Sequence, residues 1–383
     1  MRPLVLIAGG GTGGHVYPGL AVADALRSIA DVDVIFVGTR RGLEITAVPK
    51  AGYGLEVLEA RPMKGVGPKR AMMGAVIAAR ETLRSFQLVQ SLGPRVVLSV
   101  GGYAAGPLSL AAALLGVELA VLEPNSVVGL TNRLLAPLAS RAYVAWKSSS
   151  KVFRSGRARV LGAPLRGGFS PRAYAPKTGI TRVVILGGSQ GAQALNERLP
   201  AAMALAQRAL PGLTVTVLHQ AGRERDDVVR KAYEDARVEG AEVTAFVDDV
   251  SKEMEGADLL VARAGAATVA EIAAIGRPSI LIPFPHATDD HQAKNAEALE
   301  EAGGAVAIRQ EAASVERIAE EIVRILRDPA LRTRMADAAR RQGKPQAALD
   351  IARDLLQLGG IPVSPPKPRY VNGTTSAAGP EAH

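Results

Sequence analysis

The sequence predicts an α/β fold made of two parallel-sheet lobes, and three observations carry that prediction. Two glycine-rich loops of one design, Gly9-Gly10-Gly11-Thr12-Gly13-Gly14-His15 and Gly187-Gly188-Ser189-Gln190-Gly191-Ala192, lie about half a chain apart. Each follows a short apolar run and precedes a helical pattern, the place where open α/β sheets hold phosphates. Strand and helix patterns alternate through both halves, which calls for parallel pairing with right-handed crossovers. The length, 383 residues, exceeds what one core usually fills. Two Rossmann-like units separated by a cleft are therefore expected, one for a nucleotide and one for a second substrate.

Residues 4–8 form the first strand, apolar throughout as befits a strand covered on both faces. The helix after the first loop is read at 19–29, where apolar residues recur at helical spacing. Strands at 32–37 and 55–58 precede an amphipathic helix at 70–88. Residues 96–117 carry no charge and are long enough to cross a bilayer, but Gly101-Gly102 and Gly106-Pro107 divide them. A strand at 96–100, a loop and a helix with proline in its first turn account for them better. Strands at 119–122 and 142–145 complete the first sheet.

Pro164, Pro171 and Pro176, with several glycines, punctuate a linker. The expected domains are thus 1–163 and 181–358, with 164–180 between them and the last helices able to cross back to the first domain. The second sheet is read from runs at 183–186, 215–218, 243–246, 259–262, 279–283 and 305–308. Residues 359–383 turn to Pro, Gly, Ser, Thr and Ala and are expected to be a disordered tail.

Composition excludes several classes of function. With no Cys there is no disulfide framework, thiolate metal site or cysteine nucleophile. Met1-Arg2-Pro3 runs straight into a strand without the segments of a signal peptide, so a cytoplasmic protein is expected. The net charge of +9 is uneven, because the first 165 residues hold 19 basic against 9 acidic side chains. Such an excess suits a polyanionic substrate or an anionic lipid surface. Aromatic residues make up only 4% and no nucleic-acid motif occurs, so nucleic acid is not an expected partner.

The first loop matches Gly9-x-Gly11-x-x-Gly14, the pattern of a dinucleotide site. The second strand, however, ends in Gly38-Thr39-Arg40-Arg41 and lacks the acid that grips a ribose, while Asp31 and Asp33 stand at its other end. NAD is thereby disfavoured, and Asp31-Val32-Asp33 reads as a solvated turn. His15 closes the loop beside a helix N-terminus, a position that favours the neutral imidazole a general base requires. In the second half, the loop with Ser189 and Gln190 and the turn Arg263-Ala264-Gly265-Ala266-Ala267-Thr268 offer two helix N-termini to one diphosphate. Glu271 lies within reach of ribose hydroxyls, and His291, Gln292 and Asn295 stand one helical turn apart, able to present polar groups to one ligand.

The segments 10–21, Gly101-Gly102-Tyr103, Gly129-Leu130-Thr131-Asn132, 187–192, 263–266 and 291–296 occur in an order that closely resembles the MurG family. These are the peptidoglycan N-acetylglucosaminyltransferases of glycosyltransferase family 28. The resemblance implies the GT-B fold, two Rossmann-like lobes and a cleft, with UDP-N-acetylglucosamine on the C-terminal lobe. It implies an acceptor, undecaprenyl-pyrophosphoryl-MurNAc-pentapeptide, on the N-terminal lobe, and neither a cofactor nor a metal. On that template Ser189, Gln190, Gly265, Ala266 and Thr268 surround the diphosphate, Arg166 meets the nucleotide side of the cleft and Glu271 bonds the ribose. Phe246 and Val247 meet uracil through their backbone, and His291, Gln292 and Asn295 orient the sugar. Thr12, Gly13 and Asn125 reach the donor from the first lobe, while Gly14 and Tyr103 line the acceptor side near His15 and Glu123. His15 is the implied base for the muramyl 4-hydroxyl, with inversion at the anomeric carbon, and Glu123 is the competing base.

Two departures weaken the acceptor side: Leu122-Glu123-Pro124-Asn125 stands where the family has His-Glu-Gln-Asn, and Ala163 replaces an Asn. Lys64, Lys69, Arg70, Arg80 and Arg84, interleaved with Met72, Met73, Val76, Ile77, Leu83 and Phe86, suit an anionic membrane surface. The same pattern also fits an apolar stripe facing the core with a solvated basic back. Alternative readings are another GT-B enzyme that uses a UDP-sugar with a different acceptor, a nucleotide-sugar epimerase, or a non-catalytic nucleotide-binding regulator.

Overall fold

A computed structural model describes residues 2–40, 42–59, 68–102, 105–176, 179–188 and 191–364, with the backbone alone over 68–79. The first sheet consists of β1 (Leu4–Gly9), β2 (Asp33–Thr39), β3 (Gly54–Leu58), β4 (Val96–Gly101), β5 (Glu118–Glu123), β6 (Arg141–Val144) and β7 (Ala158–Val160). Its order is β3-β2-β1-β4-β5-β6-β7, every pair parallel. Helices α1 (Gly13–Ile29), α2 (Glu44–Lys50), α3 (Pro68–Leu92), α4 (Ala105–Leu114), α5 (Leu130–Leu135) and α6 (Lys147–Ser150) connect the strands. Successive side chains of β1 alternate between two cores: Val5 and Ile7 pack with Leu20 and Leu26 of α1, and Leu6 and Ala8 with Leu108 and Ala111 of α4. Both faces are covered, which is why the strand reads as an unbroken apolar run.

The second lobe repeats the plan with β8 (Ile180–Leu186), β9 (Thr214–Gln220), β10 (Ala241–Thr244), β11 (Leu259–Ala262), β12 (Ser279–Leu281) and β13 (Ala305–Ala307). These form a parallel sheet in the order β10-β9-β8-β11-β12-β13. Its helices are α7 (Gln193–Ala209), α8 (Asp226–Asp235), α9 (Val250–Glu255), α10 (Ala266–Ile275), α11 (His291–Glu301), α12 (Val315–Arg327) and α13 (Pro329–Gln342). The last helix, α14 (Ala347–Leu358), leaves this lobe and buries Ile351, Ala352, Leu355 and Leu356 in the core of the first, beside Val5 and Leu20. Asp354 of α14 accepts the Tyr143 hydroxyl at 2.8 Å.

Several expectations change. Helix α1 starts at Gly13, six residues before the apolar periodicity begins, because Gly13 and Gly14 carry no side-chain signal and Pro18 is accommodated inside the helix. Strand β7 escaped notice because three residues at a sheet edge show no period. Strand β10 ends at Thr244, so Phe246 lies beyond it. The tail does not begin at 359: Ile361 is buried in the first lobe's core and the Ser364 N–H donates to the Ile29 carbonyl at 2.9 Å. Small residues obscured that docking, and 365–383 lie outside the described residues.

Candidate active site between the lobes

In each sheet the strand order reverses beside the glycine-rich loop, between β1 and β4 in one lobe and between β8 and β11 in the other. At such switch points the flanking loops diverge and leave a crevice beyond the carboxyl ends of the strands. His15 occupies the first crevice, in the opening turn of α1, where its N–H bonds the Thr12 carbonyl at 3.1 Å and its Nδ1 lies 3.2 Å from Thr12 Oγ1. Gly101 makes room for the ring: its φ is +89°, and a Cβ there would stand 3.0 Å from His15 Cδ2. Burial holds the imidazole below the ordinary histidine value, Glu123 and Glu44 pull it back up, and His291 of the opposite lobe pushes it further down.

Glu123, the competing base, is 2% exposed and has both oxygens committed. One accepts the backbone and side-chain N–H groups of Asn125, each at 3.0 Å; the other accepts Gly129 N at 2.9 Å and Asn132 Nδ2 at 3.1 Å. A carboxylate so saturated holds its loop together and has no free lone pair aimed at a hydroxyl, which corrects its reading as a base.

The donor-side residues also divide. Gly265 caps α10, with Ala266 and Thr268 in its first turn, and no side chain caps the helix, so its first N–H groups have no side-chain acceptor. Glu271 is buried and its Oε1 accepts Arg166 Nη2 at 2.9 Å and Nε at 3.2 Å. Burial raises its carboxyl above the usual range and Arg166 opposes that rise. The Arg166 guanidinium also lies over the rings of Tyr17 and Phe169, at 5.3 and 5.6 Å from their centroids, and so links α1 to α10.

Asn295 is fully buried and bonds to Ser126 N, Asn125 Oδ1 and the Ala264 carbonyl. Gln292 Oε1 accepts Phe284 N at 3.0 Å, and His291 Nδ1 lies 2.7 Å from the Thr288 carbonyl. Phe246 is half exposed with both backbone polar groups bonded to Thr244 Oγ1, while Val247 is buried. Gly13 and Gly14 lie in the first turn of α1 beside His15. Tyr103, Ser189 and Gln190 lie outside the described residues.

Sequence reasoning missed Glu44, Tyr17, Arg133 and Asp289. Arg133 and Asp289 pair across the lobes at 3.4 Å, and a signal was legible only in the neighbouring Thr131-Asn132 motif.

Two switch-point crevices, one with a histidine and the other with an open helix N-terminus, define a two-lobed enzyme of group transfer. The chain belongs to glycosyltransferase family 28, whose N-terminal domain matches residues 5–144 and whose C-terminal domain matches residues 182–351. A relative from Sorangium cellulosum (strain So ce56) is named UDP-N-acetylglucosamine–N-acetylmuramyl-(pentapeptide) pyrophosphoryl-undecaprenol N-acetylglucosamine transferase. It is 49% identical over 362 residues, covering 94% of this chain and 89% of that protein. A protein of the same name from Acidithiobacillus ferrooxidans (strain ATCC 53993 / BNL-5-31) is 42% identical, covering 94% of this chain and 99% of its own length. The crystal structure of Acinetobacter baumannii MurG superposes with a TM-score of 0.76 at 30% identity, covering 93% of this chain and 99% of that one. The crystal structure of a UDP-N-acetylglucosamine 2-epimerase, at 13% identity and a TM-score of 0.67, covering 96% of this chain and 98% of that one, shares the fold alone.

Proposed function

We propose that this enzyme moves N-acetylglucosamine from UDP-N-acetylglucosamine to the 4-hydroxyl of the MurNAc of undecaprenyl-pyrophosphoryl-MurNAc-pentapeptide, giving the disaccharide lipid of peptidoglycan synthesis. The observation that carries the reading is His15 in the opening turn of α1 at the first switch point, with the start of α10 in the other lobe uncapped by any side chain and α10 joined to α1 through Arg166, which pairs with Glu271 and lies over Tyr17. The diphosphate is assigned to that helix start and to the second glycine-rich loop with Ser189 and Gln190, where N–H groups and the helix dipole favour the charge that builds up on departing UDP. With Nδ1 held by Thr12, His15 Nε2 takes the proton of the muramyl hydroxyl as that oxygen bonds to the anomeric carbon. The carbon–phosphate-oxygen bond breaks on the opposite face, so the configuration inverts and UDP carries away the electron pair. Arg166 and Glu271 are assigned to the walls of the nucleotide site, His291, Gln292 and Asn295 to its sugar side, and Phe246 and Val247 to its base end.

The acceptor's lipid places the reaction at a membrane surface, and none of the described helices is long and apolar enough to cross one. We assign peripheral contact with anionic lipid to α3. Arg80 and Arg84 are exposed there, as is Leu83 at 68%, whereas Phe86 packs on the core and is removed from that face. Lys64 and the side chains of Lys69, Arg70, Met72, Met73, Val76 and Ile77 lie outside the described residues. The deciding experiment is transfer of labelled sugar to an acceptor analogue by native enzyme and by His15→Ala, with donor affinity measured separately. Loss of turnover by orders of magnitude at retained affinity is expected; near-normal turnover refutes the base assignment.

A further inference from the structure

Glu44 has no role in the reaction just described, yet the first glycine-rich loop is built around it. It opens α2, is fully buried, and accepts Gly11 N, Thr39 N and Thr39 Oγ1, each at 2.8 Å. Gly10, Gly38 and Gly42 press on its side chain: a Cβ on them would lie 2.2, 2.5 and 2.0 Å from its atoms. One glycine of the first loop and two from the end of β2 and the turn after it thus leave space for one carboxylate. The N–H of a turn between strand and helix is where open sheets receive a phosphate. Here Gly11 N–H is already taken by an anion of the chain itself.

We propose that Glu44 is a positioning residue for transfer: as a built-in anion it fixes the first glycine-rich loop and so holds Thr12 and His15 in place. A loop with glycine at positions 9, 10, 11, 13 and 14 has almost no side chains to anchor it, and ordering it costs more backbone entropy than ordering any other composition. The Gly11–Glu44 and Thr39–Glu44 bonds tie that loop to the end of β2, which is rigid because it lies inside the sheet. Burial lowers the His15 imidazole most; the charged groups that act on it are Glu123 from β5 and Glu44 from α2, which raise it, and His291 from α11, which lowers it, so removing the Glu44 charge lowers it further.

The inference rests on His15 being the base, and its test separates the two. In the full chain, Glu44→Gln replaces one acceptor oxygen with an N–H group that opposes the amides of Gly11 and Thr39. Thr39→Val removes only the hydroxyl bond and serves as the milder variant if the first fails to fold. The expected result for Glu44→Gln is kcat lower by about 10- to 100-fold with KM for UDP-N-acetylglucosamine within about twofold. Gly11 amide exchange accelerates, and the His15 ring, followed by NMR, titrates at lower pH. Thr39→Val moves kcat and Gly11 exchange the same way by a smaller factor. Unchanged kcat, Gly11 exchange and His15 titration in folded variants overturn the proposal. Should His15→Ala retain turnover, the base assignment fails, while Gly11 exchange and the ring titration still judge Glu44.

Discussion

Asn295 Oδ1 accepts the backbone N–H of Ser126 at 2.9 Å, a bond between residues 169 apart in sequence and on opposite lobes. The same side chain donates to Asn125 Oδ1 at 3.3 Å and to the Ala264 carbonyl at 3.2 Å, so one amide joins the acceptor-side loop to the turn before α10. Asn295→Ala strands a buried N–H and a carbonyl, and a loss of about 1–3 kcal/mol in stability is expected. Small-angle scattering should show wider lobe separation, and donor KM should rise. A variant as compact and as stable as the native chain would rule out this strut.

The acid limb of kcat should fall below pH 6.5. Burial holds the His15 imidazole beneath its ordinary value, and the base works only when neutral, so activity is lost as pH drops through that lowered midpoint. Replacing His291 with Gln removes the like charge that lowers it, and the limb should move to higher pH. A pH–rate profile that stays in place in His291→Gln would show that His291 does not act on His15.

His219 controls acid stability. It is fully buried, with Nδ1 3.0 Å from the Tyr233 hydroxyl and Nε2 3.2 Å from Asn196 Oδ1. The Asn196 amide nitrogen is spent on the Ala221 carbonyl, so its oxygen must accept from Nε2–H, and Nδ1 accepts from the tyrosine. Burial depresses this imidazole to about 3 against 6.5 in the unfolded chain. Between those values the unfolded chain binds a proton that the folded one does not, so stability falls as pH falls, by about 1.4 kcal/mol per unit. Urea titrations between pH 4 and 7 should show this slope reduced by about one proton in His219→Gln.

Much of the fold was legible because buried parallel strands are apolar on both faces: all six runs read in each half became strands. What escaped has physical causes. Gly13 and Gly14 hide the start of α1, and β7 is too short to show a period. Glu44 was invisible because a lone glutamate at a helix start looks like a solvated first-turn acid. Only the convergence of Gly10, Gly38 and Gly42 in space reveals its cage. His15 could be singled out in the sequence because the glycine-rich loop and the helix start that hold it, with Thr12 at 3.2 Å, are its neighbours along the chain. The partners of Glu271 and Asn295 could not be read from the sequence, because Arg166 and Ser126 lie 105 and 169 residues away from them.

Arg166→Leu should destabilise the chain more at pH 7 than at pH 5. Removing one partner of a largely buried pair leaves an uncompensated charge, a loss of about 3–5 kcal/mol when burial is complete. Arg166 is 39% exposed, so a smaller loss is expected. Burial already raises the Glu271 carboxyl, and without Arg166 it rises further. The folded form then holds a proton the unfolded form has released, so stability declines as pH climbs above the unfolded carboxylate value. Equal losses at both pH values in paired denaturation curves would place the effect in lost packing on Tyr17 and Phe169.

Membrane attachment through α3 should depend on charge and salt. The helix exposes Arg80, Arg84 and Leu83, and it packs against α4, whose last residue Leu114 is 62% exposed. Each basic side chain near an anionic surface contributes about 1 kcal/mol, and the contribution decays within a Debye length. Reversing Lys69 and Arg70 to Glu should therefore weaken flotation with anionic vesicles by about tenfold or more at low salt. High salt should shrink that difference, because it screens the native contact as well. Transfer to a water-soluble acceptor should change far less than vesicle binding, since neither residue is assigned to the donor or acceptor site. Leu83→Glu separates the apolar share of attachment, which persists at high salt, from the electrostatic one. Vesicle binding equal to that of the native chain in both variants would exclude α3 as the contact.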